Sequence, residues 1–189
     1  MEYAARTSSS ARTRNLVITA LLAAMMAGTS WISVPFGPVP VTLQTTFVLL
    51  AGLLLSPGWA AVSMALYLAL GALGLPVFSA GQGGVGVLFG PTGGFLWAFP
   101  VAAASVSAVF RGLGGPSSTG PRWVARAAAA VFVGEVVIYA IGIPWLVQQT
   151  GMQVVQALAV ALVPFLLPDA LKAVIAIVLA KAVNKALER

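Results

Sequence analysis

Asp169 and Lys172 stand three residues apart in a largely apolar stretch near the end of the chain. On a helix that spacing sets the two side chains next to each other on one face. A carboxylate there accepts from N–H groups and an ammonium donates to a carbonyl or carboxylate, so the pair could hold a polar ligand. It could also neutralise itself as a structural ion pair. An ionised group at membrane depth costs at least about 2.5 kcal/mol on insertion scales, and such groups mark function by default. Pro168, just before the pair, frees backbone carbonyls of the kind that line cavities. Glu135 is a further charge in apolar surroundings; it could face the same cavity, pair with a polar group of a partner, or be held protonated.

The segment Gly81-Gln82-Gly83-Gly84-Val85-Gly86 matches the dinucleotide fingerprint letter for letter. That motif works only between a strand and a helix of a parallel sheet, with an acidic residue about 20 positions on, and here the next acid is Glu135. The glycines instead permit a backbone that folds back tightly and presents N–H groups to an anion. Their segment, 76–91, is uncharged and carries five glycines, which suits a lid over an apolar pocket better than a plain flexible loop.

With no Cys and no His, the chain lacks the usual zinc ligands, disulfides and the Ser/His/Asp or Cys/His nucleophile systems. No Gly-Lys-Ser or Gly-Lys-Thr occurs, so ATP hydrolysis through a P-loop is excluded. These absences predict no catalytic residues, no metal and no cofactor; an intramembrane enzyme using Asp169 or Glu135 as acid or base is a minor alternative.

The elements that must position these residues are membrane helices. Hydrophobic residues make up 60% of the 189 and charged ones 7%, and residues 15–110 contain no formal charge at all. A soluble globule and a nucleic-acid-binding domain are both incompatible with that surface. About 20 apolar residues cross a bilayer, and Pro and Gly clusters punctuate the chain. The expectation is an all-α integral membrane protein of six transmembrane helices: spans at about 15–34, 42–55, 59–75, 93–110, 124–147 and 169–185. Together they form one membrane domain, 15–185, between tails at 1–14 and 186–189. Residues 154–167 are expected to be an outer-face helix, divided from span six by Pro164 and Pro168. At about 14 residues, the second span needs its flanking loop buried in protein. The Ser-rich start is expected to be a disordered tail, and it lacks a convincing signal-cleavage site.

Nine of the ten basic residues fall before span one, around the connection of spans four and five, or at the end of span six and of the chain. The positive-inside rule then places both termini in the cytoplasm. On span one, Ala20, Ala24 and Gly28 form one i, i+4 row and Ala23 with Ala27 its neighbour; small residues let helices approach closely in lipid, either within the bundle or against a second membrane protein. The aromatic residues Trp31, Phe36, Tyr67, Phe78, Trp97, Tyr139 and Trp145 lie mostly towards outer helix ends, as interfacial anchors or pocket walls.

Four strings, in order, resemble one family. They are Pro38-Val39-Pro40-Val41-Thr42-Leu43-Gln44-Thr45, Tyr67-Leu68-Ala69-Leu70-Gly71-Ala72-Leu73-Gly74-Leu75-Pro76-Val77-Phe78, Gly90-Pro91-Thr92-Gly93-Gly94-Phe95 and Pro168-Asp169-Ala170-Leu171-Lys172. From about residue 15 to 185 the chain resembles the BioY family, the biotin-specific S components of energy-coupling-factor transporters. The resemblance implies an S-component-like fold in the cytoplasmic membrane of a prokaryote, in contact with lipid. It also implies biotin captured from outside and no nucleic acid or catalytic activity. Its protein partners would be a transmembrane coupling subunit and two ATPase subunits. Asp169 and Lys172 would meet the ureido ring of biotin, with Gln44, Tyr67, Gln82, Gly83, Gly84 and Tyr139 as further ligand contacts. An alanine pattern on the first helix, Ala20/Ala24 or Ala23/Ala27, would dock the coupling subunit. An S component for another small vitamin, or a stand-alone biotin facilitator, are the alternatives.

Overall fold

The computed structural model describes residues 2–35 and 39–187. Its order is α1 (Glu2–Gly28), β1 (Ser33–Val34), β2 (Val41–Thr42), α2 (Gln44–Leu54), α3 (Pro57–Ala72), α4 (Val85–Leu88), α5 (Gly93–Gly112), α6 (Gly120–Thr150), α7 (Val154–Ala161) and α8 (Leu166–Leu187). Short 3-10 turns at Ser79–Gly81 and Val163–Phe165 complete it. Residues 36–38 of the Pro-rich run, Phe36 among them, and residues 188 and 189, Arg189 among them, lie outside the described residues.

Among the described residues, three helical stretches are long and apolar enough to cross a bilayer: Gly93–Gly112, Gly120–Thr150 and Val154–Ala186. The last would measure about 50 Å as one straight helix at 1.5 Å per residue, well beyond a core of about 30 Å. It is broken at Leu162, whose backbone leaves the helix (φ −117°) before Pro164. The division expected at the two prolines is therefore made largely by the first. Pro168 sits in the opening turn of α8, where its missing N–H would be unpaired anyway.

Two boundaries differ from the sequence reading. The stretch expected to be a disordered tail is helical from Glu2 onwards; once an apolar helix is nucleated, each added residue costs little. At its other end α1 stops at Gly28 rather than near 34, because residues 33 and 34 turn into an antiparallel hairpin, Ser33 opposite Thr42 and Val34 opposite Val41. No strand was anticipated there, since two-residue strands leave no period to read.

At the centre stands α2. Its 11 residues are buried on every side from Thr46 to Leu53, the signature of a core helix rather than an amphipathic one. Extending only about 16 Å, it needs its ends satisfied inside the protein. The Ser107 hydroxyl of α5 donates to the Leu55 carbonyl at 2.6 Å, closing the C-terminal end. Close packing is secured by missing side chains: a Cβ at Gly52 of α2 or Gly134 of α6 would drive into Val106 of α5. On the flank, α1 packs on α3, where the Ser63 hydroxyl donates to the Thr19 carbonyl at 2.9 Å.

Candidate ligand-binding site

Two glycine-dependent contacts fold the segment after α3 back onto that helix. Gly84, at φ +93°, adopts a conformation that β-carbon-bearing residues avoid, and its N–H donates to the Gly71 carbonyl at 2.7 Å. Gly71 in turn has no side chain because the buried ring of Phe78 fills that space. Further along, the Trp97 and Trp145 indoles donate to the carbonyls of Leu88 (3.0 Å) and Gly90 (2.9 Å). These two tryptophans peg the strap to α5 and α6; their hydrogen bonds add a role to those expected of membrane-interface anchors.

Beneath the strap lies a cavity of about 80 Å3. Phe78, Ser79 and Gln82 roof it, Thr42, Gln44 and Thr45 form one side, and Phe95, Phe99 and Tyr139 the apolar wall. Asp169 and Lys172 complete it from α8. The pair is buried, 7% and 5% exposed, and Lys172 Nζ donates to Asp169 Oδ1 at 2.8 Å. Among the described residues this is the one ion pair. The second carboxylate oxygen accepts from the Tyr139 hydroxyl, whose ring meets Phe95 edge-on with centroids 6.4 Å apart. As an acidic residue in the first turn of α8, Asp169 is also favoured by the positive end of the helix dipole.

A hydrogen-bonded chain supports the other side. Gln44 Nε2 donates to the Tyr67 hydroxyl at 2.5 Å, and that hydroxyl donates to the Val77 carbonyl at 2.9 Å. Gln44 Oε1 accepts from Thr42 Oγ1 at 3.2 Å. Tyr67 is fully buried against Phe78, ring planes at 76°, and reaches the cavity only through Gln44. So α2, α3 and the strap are tied at one point, and the polar groups that the cavity presents are fixed by partners outside it.

Of the residues singled out in the sequence, Asp169, Lys172, Gln44, Gln82 and Tyr139 converge on the cavity wall. Gly83 and Gly84 do not line it, and the Gly84 N–H is spent on Gly71. Thr42, Thr45, Ser79, Thr92 and Phe165 line it and were not anticipated as site residues. Thr45 is the informative one: its hydroxyl is buried without a partner, a polar group left for a ligand. Thr45 does occur in the first family-like string, but a threonine in an apolar helix, here beside Thr46, carries no signal by itself.

Glu135 lies elsewhere. It lines a separate groove of about 760 Å3 between α6 and α8, and both its oxygens are buried without a partner. Tyr139 and Asp169 border both spaces, so their hydrogen bond stands between them. On α1, Ala20 and Ala24 are exposed, whereas Ala23 is buried and Ala27 half-buried. Only the first row is available to a second protein.

A model of the BioY family matches residues 4–189. The probable biotin transporter of Pyrococcus horikoshii is 38% identical over 170 residues, covering 90% of this chain and 96% of that protein. The biotin transporter of Thermotoga maritima is 35% identical, covering 91% and 96% respectively. Among solved structures, the S-component for biotin from an ECF-type ABC transporter matches with a TM-score of 0.86 at 27% identity over 93% of both chains. With a family model spanning nearly the whole sequence and relatives above 30% identity along nine-tenths of it, the chain belongs to the BioY family.

Proposed function

We propose that this protein captures biotin at the outer face of a prokaryotic cytoplasmic membrane and carries it inward as the substrate-binding subunit of an ECF-type transporter. The observation that carries the reading is the buried Asp169–Lys172 pair facing a strap-covered, aromatic-walled cavity. Biotin's ureido ring offers two N–H donors and a carbonyl, which suit a carboxylate and an ammonium held side by side. Its fused sulfur ring is apolar and suits Phe78, Phe95 and Tyr139. Gln44, Gln82 and the unpartnered Thr45 hydroxyl remain for further polar atoms, the valerate carboxylate among them; Tyr67, Gly83 and Gly84 act by holding Gln44 and the strap. Small-molecule pockets usually measure about 300–1,000 Å3, so a cavity of about 80 Å3 has to enlarge to admit biotin.

The chain crosses the membrane six times, through α1, α2, α3, α5, α6 and α8, with both termini cytoplasmic. Supporting this orientation, Arg14, Arg111, Lys181 and Lys185 gather at one end of the bundle and the ligand cavity lies at the other. Exposed Ala20 and Ala24 of α1 form the docking row for the coupling subunit, since small residues permit close helix approach. Energy comes from the ATPase subunits, and the chain itself performs no catalysis.

Cells unable to make biotin, expressing this chain with a coupling and ATPase module, provide the test. Radiolabelled biotin uptake that requires the chain and is blocked by unlabelled biotin is expected. Uptake unaffected by removing the chain would overturn the assignment.

A further inference from the structure

At the end of the bundle remote from Asp169 lies a cavity of about 400 Å3 lined by Arg14 of α1, Arg111 of α5, and Lys181 and Lys185 of α8. Asp169 and Lys181 are twelve residues apart on α8, about 18 Å along its axis, so this cavity is distinct from the ligand site. Among the described residues no carboxylate lines it. Lys181 and Lys185 are spaced four apart on one helix, an arrangement in which like charges repel, and two arginines add to the same field. Arg111 is steered by its Nε, which donates to Ser107 Oγ at 3.2 Å. Gly120, the first residue of α6, also contributes to the lining, and Thr119 before it makes no side-chain cap; the positive end of a 31-residue helix therefore faces the same space.

Four apolar side chains form its floor, Leu53 and Leu54 of α2, Phe110, and Trp123, the two rings meeting edge-on at 5.5 Å, while Ser118, Thr119 and Asn184 add polar groups to the rim. A free inorganic anion would need the cations but not that floor. Arg111 ends the apolar stretch of α5, Arg122 and Arg126 mark the start of that of α6, and Lys181 and Lys185 close α8, which sets the cavity at the depth where headgroups meet acyl chains. Basic pockets between membrane helices on the cytoplasmic side are suited to anionic lipid headgroups. We propose that the cluster of Arg14, Arg111, Lys181 and Lys185 is a binding site for the phosphodiester headgroup of an anionic phospholipid, with the start of an acyl chain against Leu54, the half-buried residue of that floor.

The test needs no biotin, so its failure is separable from failure of the transport reading. The full chain is delipidated in neutral detergent and reconstituted into nanodiscs of phosphatidylcholine alone or with one-fifth phosphatidylglycerol. Unfolding temperature is measured in each, and retained lipid is read by native mass spectrometry. The expected result is a higher unfolding temperature with phosphatidylglycerol and about one such lipid retained per chain. Lys181→Gln with Lys185→Gln should lose both effects, while Lys181→Arg with Lys185→Arg keeps them; both pairs leave biotin affinity unchanged. Equal unfolding temperatures in the two nanodiscs would overturn the proposal. So would a full shift produced by inorganic phosphate in detergent, which would mean a simple anion site. A glutamine variant that keeps its lipid response but no longer associates with the coupling subunit would make the cluster a protein-docking surface and also defeat it.

Discussion

Replacing Asp169 by Asn separates the two jobs of this carboxylate. Its oxygens accept from Lys172 Nζ at 2.8 Å and from the Tyr139 hydroxyl, and the pair is more than nine-tenths buried. Asn keeps the shape and one acceptor but abandons the ammonium without a counter-charge, which typically costs about 3–5 kcal/mol. Against a folding stability of about 5–15 kcal/mol, the variant stays folded with an unfolding temperature lower by about 6–20 °C. If a ureido N–H of biotin donates to this carboxylate, affinity also loses one charge-assisted hydrogen bond, about 1.5–3 kcal/mol, and binding weakens by roughly 10- to 150-fold. Titration calorimetry on the purified variant measures the second effect and thermal unfolding the first. Combining Asp169→Asn with Lys172→Met removes the orphaned charge, so stability recovers while affinity does not. A folded Asp169→Asn protein that binds biotin within twofold of the parent would refute the assigned contact.

Gly71→Ala pushes a methyl into the Phe78 ring, and overpacking of this kind costs about 1–3 kcal/mol; both unfolding temperature and biotin affinity should fall, whereas Gly58→Ala, which meets open space, changes neither. Tyr67→Phe leaves Gln44 Nε2 and the Val77 carbonyl without the hydroxyl between them, and each buried orphan costs about 1–3 kcal/mol. A Tyr67→Phe protein with unchanged thermal unfolding would show that the Gln44–Tyr67–Val77 chain is not a structural tie. On α1, Ala24→Leu should abolish module-dependent uptake and leave biotin binding by the purified chain intact, while Ala23→Leu, at a buried position, lowers the unfolding temperature. Equal effects of these two substitutions on uptake and stability would remove the Ala20/Ala24 row as the docking face.

The charged pair was legible in the sequence because charge is so scarce: 96 uncharged residues, 15–110, make every acid or base within the apolar segments conspicuous. Helix ends were less so. An apolar stretch at 42–55 reads as a span whether its helix is long or short, and only the hairpin at 33–42 and the Ser107 bond to Leu55 reveal how an 11-residue core helix is finished. The strap's glycines announced a fold-back, but not that the Gly84 amide serves α3 rather than the cavity, since its hydrogen bond to Gly71 depends on the strap meeting the end of a helix. Trp97 and Trp145 were equally ambiguous, because an indole at a helix end serves an interface, a pocket or, as here, a neighbouring carbonyl. The alanine rows differed by one step around α1, and packing against α3 decided which became buried.

The most direct measurement is equilibrium binding of radiolabelled biotin to the purified, detergent-solubilised chain, with unlabelled biotin and a panel of other vitamins as competitors. Saturable binding near one biotin per chain, displaced by biotin alone, is the expected result. No binding by folded protein, or displacement by another vitamin at comparable concentration, would contradict a biotin site formed by Asp169 and Lys172 beneath the strap.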